Sequence, residues 1–275
     1  MKAFALNSAD RPAELMEVPD PAADDDGIVV RVRAASVNGL DLFQASGRFA
    51  SMVPHDFPAV VGRDFAGVAD AVGSQWTDVE VGDEVLGFVP SLPPLKAGTF
   101  AELDPGDVVV VIGATGGVGS FAVQLAAARG ARVVATAHAG EEADLMTSLG
   151  AAETVDYADG DLVARLRAAH PDGVAALIDL VNRGDEFASV AELVRDGGWA
   201  ATTLGAADVD ALAARGVTGT NVRGMPTPEM LASLADEVAS ARLRVVIQAS
   251  YRLTAVQAAL EAFSGGTLGK IVVTI

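Results

Sequence analysis

The sequence predicts an α/β protein: a doubly wound parallel sheet joined to a smaller, mostly β domain. Three observations carry this. The chain has 275 residues, about what two modest domains need. Residues 1–102 form short alternating or β-rich runs separated by turn residues. From Leu103 the period changes, and strand-like runs alternate with helical ones, the pattern of right-handed βαβ units and a parallel sheet covered on both faces.

In chain order, the first half reads as strands in MKAFAL, AELMEV, GIVVRVRAASV, AGVADAVG, DEVLGFV and GTFAE, with Pro19, Pro21, Pro54 and Pro58 between them. The second half opens with VVVVI (108–112) and the helix VGSFAVQLAAARG, then ARVVAT (131–136) and EEADLMTSLG, ETVDY and DGDLVARLRAAH, VAALIDL (174–180) and GDEFASVAELVRDGG, and the strand WAATTL (199–204). This half runs from 103 to about 243. From about 244 the rhythm breaks into VVIQASYRL, the helix TAVQAALEAF, a Gly-Gly turn and KIVVTI. A tail that begins and ends in a strand suits a return to the first domain's sheet.

Composition narrows the function. Lys+Arg 19 against Asp+Glu 37 gives a net charge of −18, a surface that repels phosphate backbones and anionic lipid, so nucleic-acid and membrane partners are not expected. There is no cysteine, which excludes disulfide scaffolds, thiolate nucleophiles and Cys-based zinc or iron–sulfur sites. The uncharged stretch 108–128 is long enough to span a bilayer, but its β-branched start and four glycines read as strand, turn and helix. The amino terminus turns polar after six residues, and a cytoplasmic location is expected. Three Lys against 16 Arg, with abundant Ala, suits a GC-rich bacterial source.

The sharpest motif is Gly113-Ala114-Thr115-Gly116-Gly117-Val118-Gly119, directly between VVVVI and an apolar helix. Glycines there let the backbone turn tightly and approach a pyrophosphate, and the helix amino terminus presents N–H groups and positive dipole to it. This is the order of a Rossmann dinucleotide site. Such sites hold the adenosine ribose of NAD with an acid at the end of the second strand, roughly twenty residues on. Here that strand ends Ala135-Thr136-Ala137-His138, with no acid, so a 2′-phosphate meets no repulsion and can take hydrogen bonds from Thr136, His138 or backbone amides. NADPH is therefore expected over NADH, although Glu141 and Glu142 stand just downstream.

Several motifs then fall in a shared order: AASVNGLDL (34–42), FPAVVGRDFAGVADAVG (57–73), VEVGDEVLGF (79–88), GTFAE (98–102), LGA (149–151) and GKIVV (269–273). Together with the glycine run they resemble the zinc-independent quinone oxidoreductases of the medium-chain dehydrogenase/reductase superfamily. The resemblance implies a GroES-like domain beside a Rossmann domain, NADPH in the cleft, and hydride transfer to a quinone or an activated enone. It places Asn38 beside the nicotinamide with Asp41, puts Gly116, Gly117 and Val118 under the pyrophosphate, and sets Tyr157 near the adenosine 2′-phosphate. Leu204 and Gly205 pass the nicotinamide, and Lys270 belongs to the closing Gly-Lys motif. Asp41, Phe43 and Phe49 are expected to line the substrate site; the two rings can stack on a quinone but cannot donate a proton, and no catalytic acid is assigned. A homodimer built through the strand near Val217–Val222 is also implied.

Two departures from the family matter. Zinc-dependent relatives carry a Cys in the early turn and a Gly-His-Glu where this chain has Gly62-Arg63-Asp64, so no zinc is expected. After GTFAE the family continues into a strand and helices that wall the nicotinamide pocket, whereas here Glu102 is followed at once by Leu103-Asp104-Pro105-Gly106-Asp107. Either the molecule is shortened or a mobile segment lies between them; in a shortened molecule the alternative is a non-catalytic NADP(H)-binding sensor or scaffold. Other motifs are set aside: Asp24-Asp25-Asp26 lacks calcium-loop spacing, Gly265-Gly266-Thr-Leu-Gly269-Lys270 is one residue short of a phosphate loop, and His55, His138 and His170 have no metal spacing.

Overall fold

A computed structural model describes residues 1–8, 11–25, 27–47, 57–89, 106–158, 160–224 and 226–275. The chain divides into two compact units. One comprises Met1–Ser91, Pro226–Leu231 and Ile247–Ile275; the other comprises Leu92–Met225 and Ala232–Val246. The full sequence runs from Glu102 to Leu103 without a break, so no further segment separates them; that junction, the expected GTFAE strand and Phe49 lie outside the described residues.

The second unit is a six-stranded, all-parallel sheet. Its strands are β7 (Val108–Ile112), β8 (Arg132–Thr136), β9 (Glu153–Val155), β10 (Val174–Asp179), β11 (Val194–Thr202) and β12 (Thr218–Asn221). They lie in the spatial order β12-β11-β10-β7-β8-β9. Counted from β7, that is the 3-2-1-4-5-6 order of the Rossmann fold. Side chains alternate across a strand, so Val110 and Ile112 enter one core while Val109 and Val111 enter the other. Both faces are covered, which is why VVVVI is apolar throughout.

The helices begin where the sequence offers a start. The helix α3 (Glu141–Ser148) opens after Gly140 with Glu141, Glu142 and Asp144 in its positive first turn. The helix α4 (Leu162–Ala169) is capped by Asp161, whose carboxylate accepts from Ala164 N at 3.1 Å. The helix α5 (Gly184–Ala191) is shorter than the expected run through Gly198, and β11 starts earlier. Val194 pairs with Val174, then the register jumps so that Trp199 pairs with Ala176. A Cβ on Gly198 would lie 2.8 Å from the Ala175 carbonyl oxygen, and Gly197 has φ +74°, so the Gly-Gly pair forms an irregularity inside the strand rather than the end of a helix.

In the first unit, β3 (Ile28–Ser36), β5 (Asp64–Val72) and β6 (Glu84–Phe88) run antiparallel, and β13 (Ile247–Arg252) and β14 (Lys270–Thr274) join them to give the order β13-β14-β3-β5-β6. The tail thus does return to the first unit's sheet, with Val272 opposite Ser36. A three-stranded sheet of β1 (Lys2–Leu6), β2 (Glu14–Glu17) and β4 (Ala59–Val60), the helix α1 (Gly39–Ala45) and the helix α8 (Val256–Ser264) complete it. Phe4, Leu6, Val37, Leu260, Ile271 and Val273 share one core. Among the described residues no helix is long and apolar enough to cross a membrane.

Phe187, 2% exposed in the core beside β10, anchors α5 to the sheet. Phe187→Ala is expected to destabilise the protein by about 3–5 kcal/mol, read as a lowered midpoint in denaturant unfolding.

Candidate dinucleotide site and the buried polar network

The carboxyl ends of β7 and β10 lie side by side where the strand order reverses, the place where open parallel sheets bind ligands. At the end of β7, Gly113 adopts φ +75°, and the helix α2 (Gly119–Ala128) begins six residues later. A Cβ on Gly119 would stand 2.1 Å from the Gly113 carbonyl oxygen and 2.6 Å from Ala114 Cα. Only glycine lets α2 start this close to the strand. No side chain caps α2 and no acid occupies its first turn; Ser120 N and Phe121 N donate to the Gly116 and Val118 carbonyls, so the amides just ahead of them and the helix dipole are what the turn offers an anion. Gly116, Gly117 and Thr115 form the half-buried turn between, and Val118 is exposed at its crest. The turn thus fits a dinucleotide pyrophosphate.

Sequence reading missed the residues that build the facing loop. Asp179, fully buried at the end of β10, accepts from Val181 N and Asn182 N at 3.1 and 2.9 Å and from Asn182 Nδ2 at 2.8 Å. The folded-back loop sets Val181 against Gly113, where a glycine Cβ would meet Val181 Cγ1 at 2.8 Å. Only the short Asp-x-x-Asn spacing hinted at this turn. Leu204 and Gly205 follow β11 on the same rim; Leu204 N donates to Thr202 Oγ1 at 3.1 Å, its carbonyl accepts from Arg183 Nη1 at 3.5 Å, and Gly205 has φ +71°.

The end of β8 differs from expectation. Thr136 is 2% exposed, and its hydroxyl accepts from Gly113 N at 3.0 Å and reaches Val111 O at 3.4 Å. It braces the glycine turn and cannot serve a 2′-phosphate. Nor is the tip free of acids. Glu142 Oε2 accepts from His138 N at 2.8 Å, and Asp156 Oδ1 lies 2.9 Å from His138 Nδ1. Asp156 also accepts from Ala158 N and Ala139 N, and these amides, with His138, hold its carboxyl below the usual range. The Tyr157 ring lies 4.0 Å from that of His138, and burial together with Glu142 and Asp156 raises its phenol.

The first unit holds a second cluster. Asn38 Nδ2 donates to Asp64 Oδ2 at 3.0 Å, and Asn38 Oδ1 accepts from Lys270 Nζ at 2.7 Å, so both ends of the amide are fixed. Asp64 is held in turn by Ser36, through N at 3.0 Å and Oγ at 2.5 Å. Burial lowers the Lys270 ammonium, against the pull of Asp64 and Asp41. Asp41, expected at the substrate, is 3% exposed; its Oδ2 accepts from Asn38 N at 2.8 Å at the start of α1, and its Oδ1 accepts no hydrogen bond among the described residues. Its place is structural, beneath Asn38. Burial pushes its carboxyl up to about 6 despite the Asn38 amide. Arg63, also buried, donates to Gln44 Oε1 at 3.3 Å, and burial lowers its guanidinium while Asp41 supports it. Phe43 is half-buried on α1.

Comparison with known families agrees with this geometry. The alcohol dehydrogenase GroES-like domain matches residues 24–138, and the zinc-binding dehydrogenase domain matches residues 117–222. Together the two matches cover residues 24–222 and place the chain in the medium-chain dehydrogenase/reductase superfamily. Among solved structures of this superfamily, the quinone oxidoreductase of Coxiella burnetii superposes with a TM-score of 0.86 at 25% identity, over 100% of this chain and 99% of that one. The Escherichia coli quinone oxidoreductase complexed with NADPH shares the fold, with a TM-score of 0.82 at 21% identity over 100% of both chains. Over an alignment of 174 positions the chain is 33% identical to the phthioceranic/hydroxyphthioceranic acid synthase of Mycobacterium tuberculosis, covering 51% of this chain and 8% of that protein. The chain therefore spans a small part of the length of such synthases.

Two predictions follow from these clusters. Gly119→Ala is expected to weaken binding of ADP-ribose by at least about tenfold, measured by calorimetry, because its Cβ must push α2 away from β7. For Asp41 the folded carboxyl holds its proton to about 6, while the ordinary value is 3.8. The folded state binds more protons between these values, so stability falls as pH rises from 3.8 through about 6 and is flat above. Asp41→Asn is expected to abolish that slope and to raise stability at neutral pH by up to about 3 kcal/mol, checked by denaturant titration across the window.

Proposed function

We propose that this chain is a nicotinamide-dinucleotide-dependent oxidoreductase that passes hydride to a quinone or an α,β-unsaturated carbonyl without a metal ion. The observation that carries the reading is the glycine turn, where Gly119 packs on Gly113 at the point of strand reversal and leaves an uncapped helix start. The bound nicotinamide supplies the hydride chemistry. The chain's own residues bind and orient: Gly113–Gly119 holds the pyrophosphate, and the Asn182 and Leu204 loops form the neighbouring rim. Lys270 and Asp64 fix the amide of Asn38 from opposite sides, so that it presents one orientation.

The residues do not fit zinc. The sequence has no cysteine, and a buried guanidinium, Arg63, stands where zinc-dependent relatives carry histidine. For the cofactor, the quinone oxidoreductase fold shared with an NADPH complex and the lack of an acid within β8 support NADPH, while Glu142 and Asp156 weigh toward NADH. A second reading, a dinucleotide-binding protein without turnover, is favoured by the direct junction of Glu102 to Leu103. We further propose a homodimer formed through β12, one of the two edge strands of the parallel sheet; light scattering at micromolar concentration tests it.

The deciding assay follows oxidation of NADPH and NADH by the purified chain with a panel of quinones and enones. Turnover that chelator leaves unchanged is expected; cofactor binding without oxidation of any acceptor would establish the second reading. Lys270→Ala, which frees Asn38 Oδ1, is expected to lower kcat/KM by roughly tenfold, the scale of one charge-assisted hydrogen bond.

A further inference from the structure

At the carboxyl ends of β8 and β9, two carboxylates occupy backbone amides that an anionic ligand would otherwise use. Glu142 Oε2 takes His138 N at 2.8 Å, and Asp156 Oδ2 takes Ala139 N at 3.1 Å. Asp156 Oδ1 takes Ala158 N and faces His138 Nδ1, both at 2.9 Å. Glu142 and Asp156 also act on the Tyr157 hydroxyl, whose proton they help to hold. Neither acid belongs to β8: Glu142 comes from the first turn of α3, and Asp156 follows β9 directly.

In a Rossmann domain the end of the second strand receives the adenosine ribose, and an acid there accepts a hydrogen bond from the 2′-hydroxyl. β8 is that strand. A 2′-hydroxyl can donate to either carboxylate at no cost in charge. A 2′-phosphate brings up to two negative charges against them and finds the His138 and Ala139 amides already bonded. Arg165 also reaches this segment, but its Nη1 donates to the Asp156 carbonyl at 2.7 Å. Lys2 and Lys270 belong to the other unit.

We propose that Glu142 and Asp156 determine cofactor choice in this chain and favour the ribose 2′-hydroxyl of NADH over the 2′-phosphate of NADPH. The inference rests on the dinucleotide-binding reading above. Calorimetric titration of the full chain with ADP-ribose and with 2′-phospho-ADP-ribose tests it, because both ligands carry the adenosine end and neither reacts. Ligand-induced shifts in Tm give a second readout and report whether each variant is folded.

The wild-type protein is expected to bind ADP-ribose tighter by roughly tenfold or more. Glu142→Gln and Asp156→Asn, which keep shape and remove charge, should each narrow that ratio, and Glu142→Lys should invert it. Equal or tighter binding of the phosphorylated ligand by the wild type overturns the proposal; if that preference then falls in Arg165→Gln, the guanidinium is the group that reads the phosphate. If ADP-ribose binds but neither neutral variant moves the ratio, the proposal fails and the dinucleotide reading stands. If neither ligand binds, the dinucleotide reading fails and takes the proposal with it.

Discussion

The contact on which the second unit depends is the approach of Gly119 to the Gly113 carbonyl. No Cβ fits in that space, so the first helix can leave the first strand only through glycine. The consequence spreads along the sheet. Thr136 Oγ1 accepts from Gly113 N, tying the neighbouring strand to the turn, and Val181 closes over Gly113 from the other side. The rim at the carboxyl ends is therefore a set of loops braced against one another, each positioned by a buried polar group on a strand end: Thr136 on β8, Asp179 on β10 and Thr202 on β11. Loops placed on a rigid sheet in this way carry function without loosening the core.

Much of this was legible in the sequence because it is local. A glycine run between an apolar strand and an apolar helix identifies its own role, and the change of period near residue 103 separates two kinds of sheet. What escaped reading depends on tertiary contact. Thr136 stands at the end of β8, where a ligand contact is expected, but its burial and its bond to Gly113, 23 positions earlier, turn it inward. Asp156 lies 18 positions from His138 and meets it only because β9 pairs with β8. Asp41 read as a substrate-lining group because charged residues are seldom buried alone; the neighbours that make burial possible, Asn38, Arg63 and Lys270, come from the start of α1, the β4–β5 loop and the last strand. The end of α5 was misjudged for a related reason, since Gly197-Gly198 resembles a helix stop but is used inside a strand.

The first unit spends stability on order. Arg63, Asp41 and Lys270 are drawn out of water beside Asp64, and desolvating such groups costs several kcal/mol each before pairing returns part of it. Apolar residues of similar volume would give a more stable core. They would not hold the Asn38 amide in one orientation, which needs an acceptor on one side and a donor on the other. The network also links the two ends of the chain, because Lys270 is 232 positions from Asn38. Its completion requires the carboxyl-terminal strand to be in register.

The carboxylates beside His138 are separable from everything that holds the fold. Glu142 and Asp156 bond to the amides of residues 138, 139 and 158 and, among the described residues, make no hydrogen bond to the glycine turn, the Asp179 loop or the Asn38 cluster. Selection can therefore act on these two positions alone. A descendant of this chain could be coupled to a different cellular reductant pool by two surface substitutions, with the phosphate cradle and the core inherited intact.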